Sequence, residues 1–239
     1  MIETMNLWPF RKRISLQDSG IFSGFTDWHS HILPGVDDGV RTMGESLEIL
    51  RLYEKLGVKS VWLTPHIMED IPNTTAHLRE RFAELQASYT GSVELHLAAE
   101  NMLDGLFEER LEKNDLLQLG ENGDHLLVET SYFSPPMDLY GILERIKAKG
   151  YHPVLAHPER YGYMEKEEYR RIKDMGVKLQ LNLFSIVGAY GKQIQEKAEQ
   201  LLKFGVYDLI GSDLHSEKSG TTYSRKLMTS KIRRNILTI

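Results

Sequence analysis

Residues 54–66 read Glu54-Lys55-Leu56-Gly57-Val58-Lys59-Ser60-Val61-Trp62-Leu63-Thr64-Pro65-His66. A helical pattern stops at a glycine, an apolar run of strand character begins at once, and the run closes on a histidine. A glycine just past a helix supplies a left-handed cap. The same junction recurs at Lys149-Gly150, Met175-Gly176-Val177 and Phe204-Gly205-Val206. Working outward from these junctions, strands are expected at 25–29, 58–64, 93–99, 125–129, 153–157, 177–182 and 208–211. Helices are expected at 43–56, 75–88, 103–113, 139–149, 166–175 and 191–204, with a last one over 222–236. Strands alternating with helices imply parallel strands joined by right-handed crossovers. Seven such units fit a barrel better than a doubly wound sheet.

A chain of 239 residues with 41% hydrophobic and 26% charged residues suits one soluble globular domain. The expected division is a tail at 1–24 and a single domain at 25–239. A net charge of −5 argues against a nucleic-acid partner held by a basic face. The chain has no cysteine, which removes disulfides, thiolate metal sites and a thiol nucleophile together. A cytoplasmic location is expected. The start of the chain lacks the apolar core of a signal peptide, and no stretch is long and apolar enough to span a bilayer. Leu7-Trp8-Pro9-Phe10 followed by Arg11-Lys12-Arg13 suits a peripheral contact with an anionic membrane surface through residues 7–13. Localisation near the inner membrane would follow from it. The sequence leaves the oligomeric state open.

The distribution of ligand-type residues carries the chemistry. His29 and His31 close the first expected strand, His66 the second, Glu100 the third, Glu129 the fourth and His157 the fifth, while Asp213 and His215 follow the seventh. In a βα barrel these ends converge on one face, where catalysis is found. The pair His29 and His31 is two residues apart, so on a strand both point to one side. Asp213 and His215 repeat that spacing. The loop Pro34-Gly35-Val36-Asp37-Asp38-Gly39 can bring Asp38 back over the site, with Asp37 as a turn residue. Imidazole and carboxylate ligands without thiolates suit manganese, iron or zinc, and their number calls for two or three ions. Such clusters acidify bound water and stabilise the oxygens of an in-line displacement. Arg160, three residues past His157, can grip a phosphate through two hydrogen bonds. The remaining histidines, His77, His96, His125 and His152, read as structural.

The segments Asp27-Trp28-His29-Ser30-His31, Leu33-Pro34-Gly35-Val36-Asp37-Asp38-Gly39, Thr64-Pro65-His66, Ala99-Glu100, Val128-Glu129, Ala156-His157-Pro158-Glu159-Arg160-Tyr161 and Ser212-Asp213-Leu214-His215 closely resemble the polymerase and histidinol phosphatase (PHP) family. Within it, they resemble the bacterial tyrosine-protein phosphatases of capsular and exopolysaccharide synthesis, over about residues 26 to 236. The resemblance implies a distorted (β/α)7 barrel of the PHP type. It implies a metal cluster, usually described as manganese, with iron, zinc or magnesium as alternatives. The implied ligands are His29, His31, Asp38, His66, Glu100, Glu129, His157, Asp213 and His215. Arg160 matches the phosphate-binding arginine, and Asp38 and His66 are expected to join it in catalysis. The implied substrate is a phosphotyrosine protein, the tail of a bacterial tyrosine kinase. A histidinol-phosphatase-like enzyme and a non-catalytic phosphotyrosine binder are the alternative readings.

Three departures accompany the resemblance. Many members carry an arginine five residues past the last ligand histidine, where this chain has Gly220, with Lys218 nearby. The segment 130–136 differs from the common pattern and is expected to reshape the substrate rim. Trp28 replaces a smaller residue and is expected to pack away from the histidines.

Overall fold

The computed structural model describes residues 13–239. The chain enters through a short strand, β1 (Arg13–Ser15), and a 3-10 turn at Gln17–Ser19. Residues 13–24 were expected to end a tail, yet Leu16, Ile21 and Phe22 are buried in the core. Their apolar side chains are what tie this stretch down. The expected membrane contact at 7–13 falls outside the described residues except for Arg13.

Parallel strands then alternate with helices. They are β2 (Thr26–Ser30), β3 (Ser60–Leu63), β4 (His66–Ile67), β5 (Glu94–Leu97), β6 (Glu100–Met102), β7 (His125–Glu129), β8 (His152–Ala156), β9 (Lys178–Asn182) and β10 (Leu209–Gly211). Six of them form one curled parallel sheet in the order β10-β9-β8-β7-β6-β4, a half barrel, and β2-β3-β5 form a second parallel sheet. The strands expected at 58–64 and 93–99 are β3 and β5, and each is followed by a short further strand that was not expected. β3 passes through Thr64-Pro65 into β4, and β5 passes through Ala98-Ala99 into β6. Pro65 has no N–H to give to a ladder. Backbone bonds still cross the breaks, from Ala98 N to Leu63 O (2.9 Å) and from Glu100 N to Pro65 O (3.1 Å).

The free sides of β2 and β10 also meet. Asp213 N donates to His29 O (2.8 Å), and His31 N donates to Leu214 O (2.9 Å). Asp27, fully buried on β2, fastens the same seam. Its carboxylate accepts from Ser212 N (2.7 Å), Ser212 Oγ (2.6 Å) and Tyr53 Oη (2.5 Å). Gly211 is required here, because a Cβ would lie 2.3 Å from the His29 Cβ.

The helices are α1 (Met43–Leu56), α2 (Thr75–Ser88), α3 (Gly105–Lys113), α4 (Leu139–Ala148), α5 (Lys166–Asp174), α6 (Lys192–Phe204), α7 (Glu217–Ser224) and α8 (Ser230–Ile236). α1 shows why they form where they do. Thr42 and Glu45 make a reciprocal capping box, Ile49, Leu50 and Tyr53 are buried, and Gly57 at φ +86° ends the helix. Each fully buried Leu or Ile of this kind contributes about 1.5–3 kcal/mol.

The expected helix over 222–236 is interrupted. A strand, β11 (Leu227–Thr229), separates α7 from α8 and pairs antiparallel with β1. That long-range pairing overrides the local helical pattern. Trp62, Ala98, Leu119, Leu127, Val154 and Ala156 form an apolar cluster, with Trp28 packed against it. Trp28 stacks on Trp62 with ring centroids 5.7 Å apart, the packing role expected for it.

Candidate metal centre and its arginine

Each strand delivers its polar residue at the end where the apolar run stops. His29 lies within β2 and His31 just past it. His66 opens β4, Glu100 opens β6, Glu129 closes β7 and His157 follows β8. Asp213 and His215 lie beyond β10. All but Asp38 and His215 are at most 8% exposed. Burying so many ionisable groups is tolerable only if they satisfy one another or hold a cation.

Glu100 is the hub. Its Oε2 lies 3.1 Å from His29 Nε2, 3.2 Å from His31 Nε2 and 3.2 Å from His66 Nδ1, while Oε1 lies 2.8 Å from His157 Nε2. Asp213 Oδ1 faces His29 Nε2 (3.4 Å) and His31 Nε2 (3.3 Å). Asp38 Oδ1 faces His66 Nε2 (3.6 Å) and His215 Nε2 (3.4 Å). Three overlapping sets emerge: His31, Asp38, His66 and His215; His29, His31, Glu100 and Asp213; and His66, Glu100 and Glu129, each with ligand atoms within 4.8 Å of one another. His157 borders the third set through Glu100 and through Glu129 Oε2 (3.9 Å).

Three observations fit this donor set to cations. The imidazole nitrogens of His29 and His31 point at each other across 3.0 Å. Buried His157 Nδ1 has no hydrogen-bond partner, and buried His66 Nδ1 and Glu129 Oε1 converge to 3.1 Å. Separations near 3.0–3.4 Å are also the edges of a coordination shell, given metal–ligand bonds of about 2.0–2.2 Å.

The outer shell fixes the imidazoles. His29 Nδ1 donates to Gln180 Oε1 (2.7 Å) and His31 Nδ1 to Asp37 Oδ2 (2.8 Å), leaving both Nε2 atoms to the centre. His215 Nδ1 donates to Asp213 O (2.9 Å). Second partners of this kind set the tautomer and raise ligand basicity. Asp37 is thus an orienting residue, and its Oδ1 also accepts from Gly39 N (2.9 Å). Gly39 must be glycine, because a Cβ would sit 2.0 Å from His31 O.

Two residues of the cluster have strained backbones, His157 at φ +31° and Asp213 at φ +54°. Non-glycine residues in this region cost about 1–3 kcal/mol each and cluster at functional sites. Asp213 and His215 therefore do not repeat the strand geometry of His29 and His31. A left-handed turn, rather than strand alternation, brings both to the centre.

The charges support one another. Burial alone would discharge Glu100 and Asp213, yet the surrounding histidines hold both carboxyls well below their usual range. Burial likewise works against charging His29 and His31. Glu100 and Asp213 for His29, and Asp213 and Asp37 for His31, outweigh it and raise both imidazoles. The Asp38 carboxyl is lowered to about 2, chiefly by its hydrogen bond with His215. The cluster thus demands positive charge, which protons or metal ions can supply.

Arg160 sits in the 3-10 turn Pro158–Arg160 after β8. Its Nη1 donates to Asp213 Oδ2 (2.7 Å), so the expected two-bond grip on phosphate begins with one donor already committed. The Tyr132 and Tyr190 rings each lie 4.3 Å from its Cζ. Asp213 Oδ2 accepts as well from Asn182 Nδ2 (3.0 Å) and Tyr190 Oη (3.2 Å). An open groove of about 750 Å³ begins at Arg160, Tyr132 and Tyr190 and runs past Phe133, Met164 and Phe204. Phe133, in segment 130–136, is 89% exposed and gives the groove an apolar edge.

Gln180, Asn182, Tyr132 and Tyr190 were not singled out in the sequence. A signal for two of them existed: Gln180 and Asn182 are polar residues two apart on a buried strand. Gly220, where the resemblance led to an expected arginine, is buried in α7, and a Cβ there would meet Leu214 and Leu52 at 3.3 Å. The glycine packs closely against those two leucines. The structural histidines stay away from the centre, with His96 stacked on Trp62 (4.7 Å) and His125 beside His152 (5.3 Å).

A family model for capsular polysaccharide synthesis, CpsB/CapC, matches residues 25–234. The tyrosine-protein phosphatase YwqE of Bacillus subtilis is 27% identical over 208 residues, covering 84% of this chain and 82% of that protein. The tyrosine-protein phosphatase CpsB of Streptococcus agalactiae is 28% identical over 211 residues, covering 80% and 82%. A chain from the crystal structures of YwqE from Bacillus subtilis and CpsB from Streptococcus pneumoniae, described as unique metal-dependent tyrosine phosphatases, superposes with a TM-score of 0.76. It is 26% identical, and the match covers 89% of this chain and 86% of that one.

Proposed function

The chain belongs to the CpsB/CapC family of capsular polysaccharide synthesis, and from that premise we propose that it is a metal-dependent protein-tyrosine phosphatase. The observation that carries the reading is the buried cluster around Glu100 with Arg160 bonded to one of its members, Asp213. A cation-demanding cluster beside a fixed guanidinium suits a phosphate monoester.

The nine residues His29, His31, Asp38, His66, Glu100, Glu129, His157, Asp213 and His215 would hold two or three ions, with manganese the first choice and iron, zinc or magnesium as alternatives. When bound, such ions supply Lewis-acid charge to phosphoryl oxygens and acidify water at the site. The chain's own residues do the rest. Arg160 binds a phosphoryl oxygen and stabilises charge that develops during transfer. Asp38 and His66 lie on the more exposed side of the cluster, and an Asp38 carboxyl with its pKa at about 2 stays ionised to orient water. The chain has no cysteine, so no cysteinyl-phosphate forms. Water attacks phosphorus directly, the P–O bond to the phenol breaks, and tyrosine and phosphate leave.

An open groove of about 750 Å³ at Arg160 favours a polypeptide over a small metabolite such as histidinol phosphate. The substrate we assign is a phosphotyrosine segment of a bacterial tyrosine kinase acting in capsule or exopolysaccharide assembly, with no nucleic acid involved. That assignment places the protein in the cytoplasm near the membrane. The parallel order of the strands and the backbone bonds between β2 and the β10 end support reading the fold as a distorted (β/α)7 barrel.

Hydrolysis of a phosphotyrosine peptide against histidinol phosphate, with metal content measured on the same sample, tests the proposal. His157→Ala and Asp213→Ala should each abolish peptide hydrolysis and reduce bound metal. Full activity in either variant would sink it.

A further inference from the structure

An arginine at the mouth of an open groove is ordinarily a mobile side chain, and binding a phosphate must then order it. Arg160 is built differently. Its side chain is 15% exposed, and its Nη1 is held by Asp213 at 2.7 Å. The Tyr132 and Tyr190 rings flank its Cζ, each at 4.3 Å. The two rings come from distant loops, one after β7 and one after β9. Both are fixed in turn. Tyr132 packs edge-on against His157 (5.9 Å) and stacks on Tyr161 (6.2 Å). Tyr190 Oη accepts from Asn182 Nδ2 (3.0 Å) and donates to Asp213 Oδ2 (3.2 Å). All three side chains line the groove.

We propose that Tyr132 and Tyr190 are positioning residues whose rings form a slot that holds the Arg160 guanidinium against Asp213, preset to meet a phosphoryl oxygen. A guanidinium has five N–H donors in a rigid fork, so one spent on Asp213 leaves others for substrate. The aromatic faces attract the cation without competing for its hydrogen bonds. Tyr190 does double duty, because its hydroxyl also orients a residue of the candidate metal centre. The inference rests on the phosphatase reading for its purpose, although the slot itself can be tested without any turnover.

The test empties the slot and refills it. In the full chain, Arg160→Gly removes the side chain, and free guanidinium at millimolar concentration is the probe, with sodium chloride at equal ionic strength as control. Calorimetry should show saturable binding of guanidinium to R160G. Adding Tyr132→Leu or Tyr190→Leu to R160G should weaken that binding about tenfold, whereas adding Tyr132→Phe should leave it within about twofold. On the peptide substrate, guanidinium should partly rescue R160G and fail to rescue the double variants. With Arg160 in place, Tyr132→Leu and Tyr190→Leu should each lower kcat/KM about tenfold, with metal content unchanged in Tyr132→Leu. Melting temperatures identify any variant that fails to fold, and the other leucine variant, set against Tyr132→Phe, then carries the comparison. Equal guanidinium binding with and without the two rings would overturn the slot. If the wild-type chain hydrolyses no phosphotyrosine peptide while guanidinium binding still depends on both rings, the slot stands and the phosphatase reading falls.

Discussion

Trp28 and His29 are neighbours on β2, yet they serve two unlike regions of the molecule. Trp28 stacks on Trp62 and packs with Leu127, Val154 and Ala156, an apolar filling in which stacking and close contact do the work. His29 faces Glu100, Asp213 and His31 at 3.0–3.4 Å, in a region where nearly every side chain is ionisable. A register irregularity between Asp27 and Ser30 accompanies the change of surroundings within one strand. The apolar filling is satisfied by its own contacts. The ionisable region leaves buried His157 Nδ1 without a partner and places His157 and Asp213 in strained conformations. One region carries stability, and the other spends part of it on holding charge in place.

The sharpest way to break that comparison is at Glu100, which touches four imidazoles. Glu100→Gln should lower phosphotyrosine hydrolysis by about 10,000-fold or more, because it removes the hub charge from a site whose members act as a unit. Bound metal should fall with it, read by elemental analysis, while circular dichroism stays native. Retained metal and activity would place the centre elsewhere.

The converse variant is Trp62→Ala. Losing a buried tryptophan should cost about 3–5 kcal/mol of stability in denaturant unfolding. The folded fraction should keep its metal and its turnover to within about twofold. A loss of metal at unchanged stability would erase the distinction between the regions.

Protonation separates the two regions more finely. His29 and His31 have pKa values raised above their ordinary 6.5 in the folded chain. In the metal-free protein their contribution is fully present below 6.5 and is lost as pH rises through the raised values. Asp38 has the opposite sign: its contribution is present above 3.8 and is lost as pH falls towards about 2. Metal must displace protons from the imidazoles, so binding strengthens with pH, by about 1.4 kcal/mol per proton per pH unit. The rise in melting temperature on adding manganese should be larger at pH 8 than at pH 6. Equal rises would contradict the exchange of protons for cations. The smallest effect belongs to His152→Ala, away from the centre, which should change stability by no more than about 0.5 kcal/mol and leave activity unchanged.

Much of the ligand region was legible because a strand ending in His, Asp or Glu is a local pattern. The glycine junction at Gly57 marked the end of α1, and α1 and α2 have the bounds that their patterns predict. What escaped depends on contacts between distant segments. β11 lies inside a helical pattern and exists because β1 pairs with it. Tyr132 and Tyr190 meet only around Arg160, and nothing in either segment's spacing announces the other. Asp213 reaches the centre through a left-handed turn that an Asp-x-His spacing does not reveal.

The central claim is that the side chains gathered around Glu100 form one multinuclear metal centre that acts on phosphotyrosine. Its most direct test is a titration of metal-stripped protein with manganese, following bound ions per chain and phosphotyrosine-peptide hydrolysis together. The account predicts at least two ions per chain, with activity rising as they fill and both lost in Glu100→Gln. Full activity in the stripped protein, or undiminished metal binding and turnover in Glu100→Gln, would contradict it.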